Sequence, residues 1–342
     1  MDIANISARP DLDTWLAERH LNGHWNHDGE RAGKIKATLW KWPDIYAGLM
    51  KASEIVPMDQ TGRRTIQMRV PGMNGRMSNT IHMSVQCVMP GEIAKAHRHA
   101  AAAVRFIIKG TEGAYTVVEG ERIPFRTGDF LTTPSMTYHD HYNFGTEPVM
   151  WLDGLDSELV GSVLGVSLGD EFPADQQPVT KPDGLTARVT GHARPLWMKS
   201  DLPTPPFCYT WEDTLATFNS LKEAESEGDP YNGYLLTYTH PVTDGPTLPT
   251  FACEIQLLTP RLHTKTHRHL STTIYQVFKG QGATEVDGEM LEWSEGDIFV
   301  IPAWSWHRHE NRQDQDSILY SMNDWPAIQS LGLFREEGKL NE

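Results

Sequence analysis

The clearest pattern along the chain is a two-residue alternation. From Thr80 to Met89, the residues Ile81, Met83, Val85, Cys87 and Met89 fall on one face, while His82, Ser84 and Gln86 fall on the other. Successive side chains of a strand point to opposite faces, so this stretch predicts a strand with one apolar and one polar side. The polar side meets solvent in an open sheet and lines a cavity if the sheet closes into a barrel. Further short strands are predicted at Arg105–Gly110, Tyr115–Val118 and Val149–Leu152, with Glu119-Gly120-Glu121 as a hairpin turn. A second β region runs from about Tyr234 to Tyr320. Helical patterns lie outside these regions. Asp11–Leu21 predicts a short helix with Leu12, Trp15 and Leu16 on its apolar side, and Pro43 and Asp44 mark a helix start before Tyr46–Met50. Trp211–Phe218 and the segment from Trp325 add two more short helices.

The β pattern occurs twice. An offset of 170 aligns His97 with His267, His99 with His269 and Gly110 with Gly280, and an offset of 168 then aligns Gly128 with Gly296, Pro134 with Pro302, His139 with His307 and Asn143 with Asn311. A repeat of this size means duplicated domains. Many short strands with Gly and Pro turns make each copy a small all-β barrel or jelly roll. The expected organisation is a helical arm over 1–60, a first barrel over 61–169, a connection with little core of its own over 170–230, a second barrel over 231–325 and a tail over 326–342.

Composition narrows the partners. A length of 342 residues with 39% hydrophobic and 22% charged residues suits a globular two-domain chain without a membrane span. The first residues lack the basic and apolar regions of a signal peptide. Cys87, Cys208 and Cys253 are scattered and odd in number, which points to a reducing cytoplasm and away from thiolate metal sites. The formal charge of −15 argues against nucleic acid and anionic membranes, and an anionic ligand would need a local basic anchor.

The candidate chemistry lies in the histidines. His97 and His99 stand two apart, on one face of a strand, and the Gly128-to-Pro134 hairpin returns the chain so that His139 closes a set of three. Three imidazoles on one face leave positions open on a metal ion. His267, His269 and His307 repeat the set, and the spacing leaves open whether this second copy holds metal. His141 shares the parity of His139 and is either an acid–base or substrate contact or a structural histidine. Arg105 shares the parity of His97 and His99 if the strand continues through Ala100–Ala103, and a guanidinium can grip a carboxylate in bidentate fashion. His24 and His27, in a polar loop, read as solvated.

Gly91-x5-His97-x-His99 and Gly128-x5-Pro134-x4-His139-x3-Asn143 resemble the two cupin motifs. The usual first motif carries a Glu ligand where this chain has Ala103, so the resemblance implies a three-histidine site and weighs against manganese decarboxylases. A narrower likeness spans nearly the whole chain. His97-Arg98-His99 with Arg105-Phe106-Ile107, His139-Asp140-His141, Trp151-Leu152-Asp153-Gly154-Leu155-Asp156, Leu39-Trp40-Lys41-Trp42 and Gly62-Arg63-Arg64 resemble the bicupin gentisate 1,2-dioxygenases and their salicylate and 1-hydroxy-2-naphthoate relatives.

That resemblance implies Fe(II) on His97, His99 and His139, an ortho-hydroxy aromatic acid and O2 as substrates, and ring opening between the carboxyl- and hydroxyl-bearing carbons. It implies catalytic roles for His141 and Arg105, and a substrate pocket of Arg105, one of Arg63 or Arg64, His82, Ser84, Gln86 and His141. His82 stands where Trp is common and Ser84 where Gly is common, so a substituted or non-gentisate acid is open. A homotetramer is implied as well. The second barrel has Tyr275 in place of Arg105, Ala252 in place of His82 and Glu254 in place of Ser84, so turnover is expected in the first barrel. A quercetinase-like oxygenase or a decarboxylase is the alternative enzyme, and a storage bicupin the non-enzymatic one; storage types lose metal ligands, which this chain keeps.

Overall fold

The structure is a computed structural model that describes residues 8–18, 35–58, 62–191, 204–224 and 228–339. His24 and His27 lie outside the described residues. The chain divides into two units, residues 1–34 and 35–342. In the first, Arg9–Ala17 is a helix with Pro10 in its first turn, where a missing N–H leaves no bond unmade. Among the described residues no helix is long and apolar enough to cross a membrane.

The second unit is all-β in its framework. The alternating stretch forms the strand His82–Val88, which pairs with Thr65–Gln67 on one side and Val149–Leu155 on the other. Ala103–Lys109, Phe130–Thr133 and Cys208–Tyr209 complete a six-stranded antiparallel sheet. A five-stranded sheet of Gly169–Glu171, Ile93–His99, His139–Asn143, Ala114–Val118 and Glu121–Pro124 faces it. Together they enclose the first barrel, whose closed end is filled by Val88, Ile107, Phe125, Leu131 and Trp151. The second barrel repeats the plan. Thr38–Trp40, Ile298–Ile301, Thr273–Lys279, Ser317–Asn323, Ala252–Leu258 and Tyr234–Thr237 form its six-stranded sheet. Glu289–Ser294, Gln281–Val286, His307–Glu310, His267–His269 and Glu336–Gly338 form its five-stranded one. Two such barrels are the cupin double-stranded β-helix expected from the motifs.

The alternation decides where each face goes. Met83, Val85 and Cys87 enter a core shared by the two barrels, where Phe106 stacks on Tyr320 at 4.4 Å and meets Phe278 edge-on at 5.0 Å. His82, Ser84 and Gln86 line a cavity inside the first barrel.

The arms cross over. Thr38–Trp40, which precedes the first barrel, pairs with Ile298–Ile301 of the second. Cys208–Tyr209, which precedes the second barrel, pairs with Phe130–Thr133 of the first. Each arm strand leads into a 14-residue helix, Trp42–Ile55 or Trp211–Ala224, whose first N–H is accepted by a turn aspartate of the other repeat's barrel. The bonds are Trp42 N to Asp297 Oδ1 and Trp211 N to Asp129 Oδ1, both 2.8 Å, and they satisfy an otherwise orphaned helix donor. Gly296 and Gly128 adjoin these aspartates with φ of +89° and +87°, and a Cβ on either would fall 2.3 Å or 2.7 Å from the Trp42 or Trp211 ring.

Two expectations change as a result. The described residues of 170–230 carry more core than a connection would: Phe218 is fully buried, and Tyr209 and Trp211 pack on the shared core. The tail beyond 325 also belongs to the second barrel, because Glu336–Gly338 pairs with His267–His269. Strands of two or three residues are too short to show a period, and the sequence pattern missed them for that reason.

Candidate functional site

His97 and His99 project from the strand Ile93–His99, and His139 stands directly opposite His97 on the neighbouring strand. The ring centroids are 4.2 Å apart for His97 and His139, 5.0 Å for His99 and His139, and 5.5 Å for His97 and His99. One ligand atom from each lies within 4.8 Å of the others. The backbone sets each ring. Nδ1 of His97 lies 2.8 Å from the Lys95 carbonyl, that of His99 2.7 Å from Ala101, and that of His139 3.0 Å from Thr137. A carbonyl only accepts, so each Nδ1 carries the proton and each Nε2 keeps its lone pair for the centre of the triad. Nε2 of His139 is buried without a partner. The turn carrying His139 is tied to the strand carrying His99, with Met136 N–H donating to the His99 carbonyl at 2.8 Å. Met136 adopts a left-handed φ of 59° to do this, a strain that the surrounding structure must hold.

The site favours neutral rings. Burial, with Arg63 beside it, pushes His97 down to about 3, and burial pushes His99 down to about 4. Burial also holds His139 and His141 well below the ordinary histidine value. Neutral imidazoles with free Nε2 lone pairs are what a divalent transition metal needs, so the three residues fit a metal ion.

The opposite wall comes from the six-stranded sheet. Arg105 and the histidines sit on different strands: the chain turns at 100–102 and changes sheets, so Arg105 reaches the cavity from across the barrel. Its side chain is buried, Nη1 donates to Thr133 Oγ1, and Nε lies 3.2 Å from Asp153 Oδ1. Burial pulls the Arg105 guanidinium below its ordinary value and Asp153 opposes the shift. Trp151 Nε1 donates to the same Asp153 oxygen at 2.9 Å.

The structure separates Arg63 from Arg64. Arg63 lines the cavity from an exposed position. Arg64 turns away into the protein, where Nη2 and Nη1 grip the two Glu92 oxygens at 2.7 and 2.9 Å. Arg64 is therefore structural and does not meet the cavity. His82, Ser84, Gln86 and His141 do line it, together with Ala103, within a volume of about 220 Å³. His82 Nε2, Gln86 Nε2 and His141 Nδ1 are buried without partners. His141 packs against Trp151 with centroids 5.0 Å apart. Asp153, Thr133 and Thr65 were missed by sequence reasoning. The available signal for Asp153 was an acid on the inward face of an otherwise apolar strand. The second triad, His267, His269 and His307, also comes together.

A closed β-barrel with three neutral imidazoles and a buried arginine around one cavity defines a cupin with an enzymatic metal site, here on a duplicated scaffold. The cupin domain profile matches residues 84–154 and 255–323. The chain is 38% identical to a gentisate 1,2-dioxygenase of Haloferax sp, over 95% of both chains. It is 36% identical to a 5-aminosalicylate 1,2-dioxygenase of Comamonas sp, over 97% of this chain and 91% of that one. A variant of salicylate 1,2-dioxygenase from Pseudoaminobacter salicylatoxidans in complex with gentisate superposes with a TM-score of 0.89 at 27% identity, over 100% of this chain and 97% of that one. The chain belongs to the bicupin gentisate 1,2-dioxygenase family, and it is a ring-cleaving 1,2-dioxygenase.

Proposed function

We propose that the first barrel uses Fe(II) on His97, His99 and His139 to open gentisate, or a closely related ring-substituted ortho-hydroxybenzoate, with O2. The observation that carries this reading is a buried arginine in the same cavity as the triad. Bound Fe(II) would supply the redox and Lewis-acid chemistry that lets O2 react with a closed-shell ring. The residues do the rest. Arg105 holds the substrate carboxylate, and Thr133 and Asp153 fix the guanidinium so that little freedom is lost on binding. Arg63 adds positive charge on the exposed side, which draws an anion into an acidic protein. His141, kept neutral by burial, presents a hydrogen-bonding edge beside the reacting ring. The bond between the carboxyl-bearing and hydroxyl-bearing carbons breaks and both oxygen atoms enter the product, which for gentisate is maleylpyruvate.

The unpartnered nitrogens of His82 and Gln86 favour a polar ring substituent such as hydroxyl or amino over an unsubstituted or fused ring. The 5-aminosalicylate relative fits the same description. The test is a substrate panel: protein reconstituted anaerobically with Fe(II) is given gentisate, 5-aminosalicylate, salicylate or 1-hydroxy-2-naphthoate, and then O2. Oxygen uptake should be fastest with the first two. No uptake with any of the four overturns the proposal, as does full activity in His97→Ala or His139→Ala.

The free thiols Cys87, Cys208 and Cys253 suit a reducing cytoplasm. The exposed apolar residues Val163, Leu164, Leu168, Leu331 and Leu333 suit assembly into a tetramer, which light scattering on the eluted protein would measure.

A further inference from the structure

We propose that the second barrel is a second divalent-metal site, on His267, His269 and His307, and that its cavity takes neutral or cationic ligands and rejects the aromatic acids of the first barrel.

The metal site follows the plan of the first, except that His267 Nδ1 is buried without a partner where His97 Nδ1 meets the Lys95 carbonyl. Its ring centroids stand 4.2, 5.0 and 5.8 Å apart, and its three ligand atoms lie within 4.8 Å of one another. His307 Nδ1 lies 2.9 Å from the Ser305 carbonyl, and His269 Nδ1 lies 2.7 Å from Ser271 Oγ. The turn is pinned in the same way, with Trp304 N–H donating to the His269 carbonyl at 2.8 Å and φ of Trp304 at 64°. His307 is almost wholly buried, and its Nε2 has no partner. A buried lone pair held without a donor is costly unless something occupies the centre of the triad. Strain at the supporting turn is also kept in both barrels, although only the first has the substrate arginine.

The cavity around this triad has carboxyl groups and, among the described residues, no arginine in its lining. The strand register places Tyr275 opposite Ser321 as Arg105 stands opposite Asp153, and Glu254 opposite Ser321 as Ser84 stands opposite Asp153. One arginine–aspartate pair is thus replaced by two neutral side chains, and a neutral serine by a carboxyl. Glu336 adds a second carboxyl to the lining, within a volume of about 430 Å³. A carboxylate entering here would lose its hydration, meet acidic groups and find no guanidinium among the described residues of the lining. Trp325, Phe334 and Tyr275 offer aromatic faces instead, which suit a neutral or cationic aromatic chelator.

The experiment counts metal and so does not depend on turnover. Apoprotein is loaded anaerobically with Co(II), freed of excess, and assayed for bound metal and for the visible Co(II) spectrum. The wild type should hold two ions per chain. His267→Ala/His307→Ala and His97→Ala/His139→Ala should each hold one. In the latter protein, 2-aminophenol should shift the remaining Co(II) bands and gentisate should leave them unchanged. One ion per chain in the wild type overturns the metal site, a measurement that does not depend on the variants folding. A shift with gentisate, or none with 2-aminophenol, overturns the ligand class. Failure of the substrate panel would leave these outcomes untouched.

Discussion

Arg105 brings a full charge to a position only 3% exposed, and the site is arranged around that fact. Thr133 takes one donor of its fork, and Asp153 lies 3.2 Å from Nε, which makes no hydrogen bond. Lysine has the charge without the fork, so Arg105→Lys should lower kcat/KM by about 100-fold, or roughly 3 kcal/mol, with the circular dichroism unchanged. Arg63→Ala, on the exposed side, should cost about tenfold and act mainly on KM, as rim charges do. Steady-state oxygen uptake measures both. Glu254, in the second barrel, makes a prediction about stability. Burial raises its carboxyl from 4.5 to about 7, against the pull of Trp325 and Asn323. Between those values the metal-free folded chain keeps a proton that the unfolded chain has released. Stability therefore falls as pH rises through that window, by on the order of 3 kcal/mol for this group. Urea midpoints of metal-free wild type and Glu254→Gln at pH 5 and pH 8 check this: the wild type should lose more on going to pH 8 than the variant does.

At the scale of elements, the docking of each arm helix on the opposite barrel can be measured with a matched pair. Gly296 and Gly288 share a φ of +89°, but a Cβ on Gly296 meets Trp42 at 2.3 Å and one on Gly288 meets nothing within 4 Å. Gly288→Ala should cost about 1 kcal/mol from backbone strain alone, and Gly296→Ala at least about 1–2 kcal/mol more. The difference, read from denaturant midpoints, isolates the packing of the Trp42–Ile55 helix against the second barrel. The same elements show what the sequence could reveal. The faces of His82–Val88 were readable because one two-residue period spans seven positions. The triad was readable because i and i+2 on a strand must share a side. The choice between Arg63 and Arg64 was not, since neighbours point to opposite faces and only the pairing of Thr65–Gln67 on His82–Val88 says which face meets the cavity. The crossover was hidden too. Trp42-Pro43-Asp44 and Trp211-Glu212-Asp213 extend the repeat upstream at an offset of 169, but nothing local says that each belongs to the more distant barrel.

Across the whole molecule, the crossed arms and the shared core of Phe106, Phe278 and Tyr320 make the two barrels one cooperative body. A fragment of residues 204–339 keeps its own arm but loses Thr38–Trp40 from its sheet edge and leaves half of the shared core bare. It should aggregate or melt without a cooperative transition, while the full chain gives a single calorimetric peak. The reciprocal exchange also bears on ancestry. A chain holding one arm and one barrel could satisfy both only by trading arms with an identical copy, so the unfused ancestor would have been an obligate symmetric dimer. In such a dimer any substitution would appear in both cavities at once. Joined end to end, the copies can keep these contacts while their cavities differ, and they do differ: Arg105 stands where the other has Tyr275, and Ser84 where the other has Glu254.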